Sequence, residues 1–579
     1  MSSRLRAASS LAGIVFAAAA LWGALGQRID VPTVFGDELI HWDASRSLAG
    51  GDGLRVRDDG YGFGPTYPAL VAPVHLLAGS DLDAYRWARL LNAVLFAFAA
   101  VPACALARRL LAPGWSVACA ALAVAIPSAV YTGFVMTEGA AYAACTLALL
   151  ACARCLERPT VAVQLLALGS IALATSVRFQ LAVLGAALVA ALVLRALLMR
   201  GVRIPARDDL VRLWPVLVLL GGAAVALAVR AALGNPLEGY GGLWRSYDAG
   251  DVARWTWRAL AGLAVYLALV PFVVAPAALA LLVREGRRGS PAAASFVTLF
   301  VAVNVALLLV VGAFSSTEFG VGFLHDRYLF YVAPLWIVAT AVWAERGLPL
   351  PPLALVLGAS LTLALLATLP TYLLNADAGR RFDALAGGLP SELADALGLA
   401  EPPRWSLLAA GVAAIGFVVA LRRLPAWATL IPLAAVFGLN AAFAWDQRID
   451  AARNLTFASL DDASVAWVDR AVPEGAEVST LAGGVSVETR DALRLTEFFN
   501  ASIGPAYDLG AGYAPTLASV GVHVGGGGAV TSDTGPVTTE WIVAPPELTL
   551  AGEVVAAGTV AELRLWHVRP PARVVDAGT

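Results

Sequence analysis

The sequence contains no lysine: all 40 basic residues are arginine, set against 42 acidic ones for a formal net charge of −2. Without a basic excess there is no field to hold a polyanion, so nucleic-acid partners are excluded. Charged residues make up only 14% of the 579, hydrophobic ones 59%, and mean hydropathy is +0.74. That much apolar surface exceeds what one water-soluble core buries, and the chain reads as a membrane protein. Cysteine is scarce too, with five residues, at 104, 119, 145, 152 and 155, all inside apolar stretches. A disulfide scaffold is thereby excluded. The C-A-R-C run at Cys152 and Cys155 reads as small buried hydrophobes in a helix, not as a metal or redox motif.

A helix needs about 20 largely apolar residues to cross the hydrocarbon core. Thirteen segments approach that length: 8–26, 89–107, 115–133, 139–157, 161–177, 180–199, 213–231, 260–283, 291–313, 327–344, 351–372, 405–421 and 425–444. The expected fold is a polytopic α-helical membrane protein. An odd count puts the termini on opposite sides. Arg4/Arg6, Arg108/Arg109, Arg154/Arg158, Arg200/Arg203/Arg207/Arg212, Arg284/Arg287/Arg288, Arg346 and Arg422/Arg423 all fall on one side, which the positive-inside rule makes cytoplasmic. The first segment outruns the ~7–15 apolar residues of a signal peptide and is expected to remain as an anchor.

Three long segments then lie outside: 27–88, 232–259 and 445–579. In the first, Thr66–Gly79 is apolar but too short to span, which suits a helix in the outer interface, and a second such helix is expected to begin near Asp37. From Trp445 the composition changes. WVDRAVPEGAEV reads as an amphipathic helix, a turn and a strand start, and TEWIVA, GEVVAAG and ELRLWHV read as strands. The chain thus divides into a membrane domain, 1–444, and a soluble α/β domain, 445–579, on the extracytoplasmic side. Gly525–Gly528 reads as a loop tip.

Ionisable residues near span ends are costly unless they have work or partners. Asp37 and Glu38 follow the first span, with His41, Trp42 and Asp43 about a turn on. Adjacent helical residues point about 100° apart, so Asp37 shares a face with His41 and not with Glu38. Here a general base and a solvated helix start both fit the residues. Glu138 sits at the outer turn between the third and fourth segments, Arg178 between two almost wholly apolar ones, and Arg89 at the head of the second; both arginines suit snorkelling equally well. His325, Asp326, Arg327 and Tyr328 enter the tenth segment from its outer end. Arginine suits a phosphate fork, while an interfacial ion pair in an aromatic belt explains the same run. Trp244, Tyr247, Trp255 and Trp257 read as a sugar-stacking loop or as that belt.

Taken together, the Asp37–Glu38 pair, the GYGFGPTYPALVAP run that begins one residue before Tyr61, the FVMTEGAAY turn and HDRYLFYVAPLW resemble the GT-C superfamily of polytopic glycosyltransferases. Within it, they are most similar to the branch of protein O-mannosyltransferases and lipid A aminoarabinose transferases. The likeness spans residues 8–345, and 445–579 resembles the outer domain of actinobacterial members. The Lys-free, Ala/Arg/Gly-rich usage also suits a high-GC bacterium and its plasma membrane. The resemblance implies an inverting transfer of a sugar from a polyprenyl-phosphate donor, beside membrane lipid, to an envelope glycan, glycolipid or protein acceptor. It makes Asp37 the catalytic carboxylate, in a catalytic first outer loop. Glu138, with Glu38, becomes a second acidic site toward the acceptor. Arg327, His325, Arg178 and Tyr328 become the donor-phosphate site, with His41, Arg89 and Tyr61 in support. No cofactor or metal is expected, because Glu138 lacks a neighbouring Asp; Asp37, Glu38 and Glu138 are nonetheless oxygen ligands of the kind a divalent cation takes. A transporter or flippase of envelope lipids is the alternative, but it calls for internal repeats and broken midplane helices, and no clear repeat is present. A noncatalytic glycan-binding assembly protein is the other.

Overall fold

The computed structural model describes residues 3–29, 31–32, 36–57, 59–200, 212–232, 247–317, 320, 323–374, 382–454, 462–483, 486–510 and 519–576. The chain is a polytopic, mostly helical membrane protein followed by a sheet domain. Each of the thirteen expected segments falls on helix. Among the described residues seven helices are long and apolar enough to cross a bilayer: Ala8–Gly26, Asp81–Ala107, Glu138–Glu157, Phe179–Met199, Pro291–Ser315, Arg404–Arg423 and Ala426–Arg453. Four more, around 161–177, 214–226, 330–345 and 352–368, are apolar but shorter. Glu138–Glu157 runs through the middle of the bundle, 83% of its span buried, whereas Ala8–Gly26 lies at the rim with 11% buried.

Two expected spans are not straight rods. The third breaks by 52° between Pro113–Ala123 and the 3-10 turn Pro127–Gly133, where Pro127 cannot continue the preceding helix. The expected 260–283 span is corrected: it straddles two helices, Ala249–Tyr266 and Val270–Arg287, which meet at 103°. Ala268 and Leu269 make the corner with φ near +60°, a left-handed backbone that side chains normally avoid. The arginines at 203 and 207 and the aromatic Trp244 lie outside the described residues.

After the first span come the helices Gly36–Gly50 and Thr66–Leu77, the two expected in the outer interface. Leu76 and Leu77 are largely exposed at the end of the second, as an interfacial helix requires. Gly64, just before it, passes so close to the Ser176 carbonyl that a Cβ would sit 2.3 Å from that oxygen. The Tyr61–Pro65 loop is thereby fitted against the end of helix Val161–Val177.

The C-terminal domain is built on an eight-stranded mixed sheet. Its central strands Trp541–Ala544, Val478–Ala482, Ile503–Asp508 and Val520–Val524 are parallel, and the flanking strands are antiparallel. The strand Val478–Ala482 is buried throughout, as a central parallel strand must be. Helix Val487–Phe499 provides the crossover to Ile503–Asp508. The expected strands in TEWIVA, GEVVAAG and ELRLWHV are present, and Gly526–Gly528 forms the tip between two antiparallel strands.

Candidate active site

The site is centred on Arg327. It lies in a single 3-10 turn, Asp326–Tyr328, and its backbone N–H, at 3.4 Å, donates with that of Asp326, at 2.8 Å, to the Asp383 carbonyl. Its guanidinium is almost wholly buried and is bracketed by three carboxylates. Nη2 donates to Asp37 Oδ2, Nη1 lies 3.4 Å from Asp383 Oδ1, and Nε lies 3.2 Å from Glu138 Oε1. Arg178 extends the array: its Nη1 donates to Glu138 Oε1 at 2.7 Å and to Thr137 Oγ1 at 2.8 Å. Tyr328 presents its ring to both cations, 5.0 Å from the Arg178 guanidinium and 5.2 Å from that of Arg327.

Local structure explains each placement. Glu138 is the first residue of helix Glu138–Glu157, so its side chain stands at the end of the span, within reach of Arg178 and Arg327. Arg178 stands where helix Val161–Val177 gives way to a 3-10 turn, with an extended backbone that sends it across to Glu138. Asp37 opens helix Gly36–Gly50, again in a first turn. Its side chain remains 36% exposed, against 15% for Asp383 and 1% for Glu138. Asp37 is thus the carboxylate of the three most open to an incoming group. Burial pushes its pKa up, but the Arg327 guanidinium and then Arg178 outweigh that and hold it below the usual carboxylate range. It is ionised at neutral pH, as a proton acceptor must be.

Other expected site residues take other places. His41 is buried beneath Asp37 with Nδ1 2.9 Å from the Tyr61 hydroxyl, and burial pulls its pKa down to about 4, so the ring is neutral. Tyr61 in turn donates to the Gly64 carbonyl. His325 is no cation either. Burial lowers it to about 3, its Nε2 donates to the Gly320 carbonyl at 3.2 Å, and its ring stacks on Tyr328 at 5.4 Å. It backs Tyr328 and adds no positive charge.

Glu38 and Arg89 belong to a second, sealed cluster. Glu38 accepts from the Val135 N–H at 3.0 Å and from the Tyr85 hydroxyl at 3.3 Å. Arg448, on the last span, donates to Tyr85 at 3.0 Å and to the Gly133 carbonyl at 3.1 Å. Arg89 lies over the Tyr85 ring at 4.1 Å and donates to the Gly26 and Ile29 carbonyls, which closes the end of the first-span helix.

Asp383 was not foreseen. The segment Phe382–Gly387 is held over the site by main-chain contacts: Tyr131 donates to the Phe382 carbonyl at 2.5 Å, and Ala386 N donates to Asp326 Oδ2 at 2.7 Å. Burial raises Asp383 above the usual range, with Arg327 pulling the other way, and burial raises Asp326 to about 7. Among the described residues, no cluster of three or more His, Cys, Asp or Glu side chains is arranged to hold a metal ion. The carboxylates face arginines.

Beside this array a groove of about 880 Å³ runs between helices Val161–Val177 and Trp214–Ala232. Its walls are mainly apolar, with Leu165, Leu168, Ile171, Leu219 and Leu220 along its length. Tyr61, Ser176 and Arg230 stand at one end, and Phe179, the residue after Arg178, joins that wall to the charged site.

No family model matches the sequence, and no curated protein does. Solved structures do. The chain is similar to ArnT from Cupriavidus metallidurans in the apo state, with a TM-score of 0.54 and 15% identity over 97% of this chain and 98% of that one. The same protein bound to undecaprenyl phosphate gives a TM-score of 0.51 at 15% identity, covering 98% of each chain. The likeness establishes a shared fold over the whole length, membrane bundle and sheet domain together.

Proposed function

We propose that this protein is a glycosyltransferase that moves a sugar from a polyprenyl-phosphate donor to an envelope glycan, glycolipid or protein, with inversion, and that Asp37 is its general base. The observation that carries the reading is one ionised, partly exposed carboxylate in contact with buried Arg327, which Glu138 links to Arg178, set beside an apolar groove. That combination has a place for a hydroxyl proton, a place for a phosphate and a place for a lipid chain. The fold shared with a protein solved with undecaprenyl phosphate bound supports the donor class.

In the proposed step the acceptor hydroxyl gives its proton to Asp37 as its oxygen bonds to the anomeric carbon. The bond from that carbon to the phosphate oxygen breaks, and polyprenyl phosphate leaves with the electron pair. Charge develops on the phosphate in a poorly solvated site, where fixed guanidinium groups count for most. Arg327 and Arg178 fill that role, and Tyr328 holds both in place. A donor phosphate reaching Arg327 competes with Asp37, so binding loosens the pair and leaves Asp37 free, a stronger base than in the resting protein. Asp383, on the other outer corner of the same guanidinium, faces the sugar and accepts from its hydroxyls. Its main chain, not its carboxylate, holds the loop, so the side chain, held among the described residues only by its 3.4 Å contact to Arg327, can turn to a sugar hydroxyl.

The polyprenyl chain occupies the groove, its phosphate end toward Tyr61 and Arg230. The segments 27–88 and 445–579 lie outside the cytoplasm, residues 1–444 forming the membrane domain. The test is transfer by the purified protein in nanodiscs, with radiolabelled polyprenyl-phosphate sugars and envelope extract, wild type beside Asp37→Asn. Transfer by the wild type alone supports the reading. Equal transfer by both removes Asp37 from the mechanism, and label retained on the lipid throughout, with a folded protein and a complete donor panel, favours a flippase or a glycan-binding protein.

A further inference from the structure

The sheet domain reaches the helix that carries Asp37 through one short run at the end of helix Val487–Phe499. Trp42, fully buried one turn and a half beyond Asp37, stacks on Phe498 with centroids 4.6 Å apart and planes 11° apart. Its indole N–H donates to the Phe498 carbonyl at 2.7 Å, and Arg46 donates to the same oxygen at 3.2 Å. Arg57 grips Glu497 with a two-point fork, Nε to Oε1 at 2.5 Å and Nη2 to Oε2 at 2.8 Å, with both side chains buried. Tyr85, which also donates to Glu38, meets Phe498 and Phe499 edge-on.

These contacts are directional. The last carbonyls of a helix have no partner within it and carry partial negative charge. Here the Phe498 carbonyl is satisfied by Trp42 and Arg46, so the membrane domain completes a helix of the sheet domain. Arg57 takes a left-handed backbone, φ +53°, a strained state for a residue with a side chain, and from there its fork meets Glu497. On its other side the run is fixed to its own domain: Asn500 accepts from the Val468 and Asp469 N–H groups, each at 3.0 Å, and donates to the Val465 carbonyl at 2.8 Å. Helix Gly36–Gly50 is thus held from two sides, by the membrane domain at Asp37, Glu38 and His41 and by the sheet domain at Trp42 and Arg46.

We propose that the sheet domain is a clamp on the catalytic helix, and that Glu497 and Phe498 are positioning residues that set Asp37 against Arg327. This rests on the proposed role of Asp37. An apolar patch alone tolerates sliding, whereas a two-point fork and a shared carbonyl fix rotation and register. Small misplacements of a reacting group carry large kinetic costs.

The test uses the full-length protein in nanodiscs, with Arg57→Glu, Glu497→Arg, the double exchange, and the milder Glu497→Gln and Phe498→Ala. Two readouts are taken: hydrogen exchange of the Gly36–Gly50 amides, and kcat and donor KM for radiolabelled polyprenyl-phosphate sugar. The single charge reversals and Phe498→Ala are expected to speed exchange in that helix and lower kcat by about tenfold or more, with donor KM little changed. The double exchange is expected to restore part of both, and Glu497→Gln to fall between. If a charge reversal fails to fold, Glu497→Gln and Phe498→Ala decide the matter alone. Unchanged exchange in Gly36–Gly50 overturns the clamp whether or not transfer is ever observed. Faster exchange with kcat unchanged leaves a contact that does not position Asp37, and overturns the proposal too.

Discussion

Asp37 and Glu38 are neighbours in the chain, yet they belong to two charged clusters of opposite character. Asp37 opens outward, 36% exposed, and meets Arg327 where a substrate can compete for it. Glu38 has no exposure and is enclosed by Tyr85, the Val135 N–H and the field of Arg448. Both clusters set a carboxylate near arginines, and both draw on elements far apart in sequence. The difference is access. A buried hydrogen-bonded cluster that nothing can reach holds helices together, whereas an ion pair with an open carboxylate can exchange its partner for a ligand.

The contrast fails most visibly if Asp37→Asn is active. That change keeps the shape and removes the base, so transfer should fall by about 10²–10⁴-fold with the thermal midpoint nearly unmoved, read from initial rates beside a melting curve in the same detergent. Glu38→Ala should do the reverse. It strips the acceptor from the buried Tyr85 hydroxyl and Val135 N–H, for a loss of about 1–3 kcal/mol in stability per group left unsatisfied, measured as a drop in the unfolding midpoint. Arg327→Gln should raise donor KM by about 10- to 100-fold through the lost charged contact to phosphate.

The same Arg327→Gln variant gives a sharper reading in pH. Arg327 holds the Asp37 pKa down against burial. The acid limb of wild-type kcat/KM, which reports the donor-free protein, should therefore lie below the ordinary carboxylate value of about 4, and removing the cation should move it upward. A kcat/KM limb that stays in place detaches Asp37 from the rate. The smallest effect is expected from Asp383→Asn, a loss of about 1 kcal/mol or roughly fivefold in kcat/KM for donor, since one hydroxyl contact is weakened and the loop's main-chain ties survive.

The sequence made the membrane bundle legible because a span is a matter of length and hydropathy, which composition carries directly. The divergence of Asp37 from Glu38 was also legible, from the 100° step of a helix alone. Asp383 was not. It sits in an outer loop without an apolar signature, and only the folded position of Asp326 and Arg327 brings its carbonyl and carboxylate to the site. Arg448 was hidden for a different reason: it falls just past the apolar run 425–444, where the last helix continues to Asn454 and still packs inside the bundle. The 103° corner at Ala268 and Leu269 has no glycine at its two left-handed positions, so nothing in the local residue types announces it. His325 read as a cation because charge state was inferred from residue type, and burial decides it otherwise.

The side wall of the groove has a kinetic corollary. Leu165 and Leu219 are about half exposed along it, so the groove is open to surrounding hydrocarbon and not only to water. In the proposed reaction a lipid donor arrives by lateral diffusion within one leaflet, and the quantity that governs saturation is its mole fraction among the lipids. At fixed bulk concentration, adding inert phospholipid or detergent should slow transfer by surface dilution alone, and rates from different preparations become comparable only when plotted against mole per cent of donor.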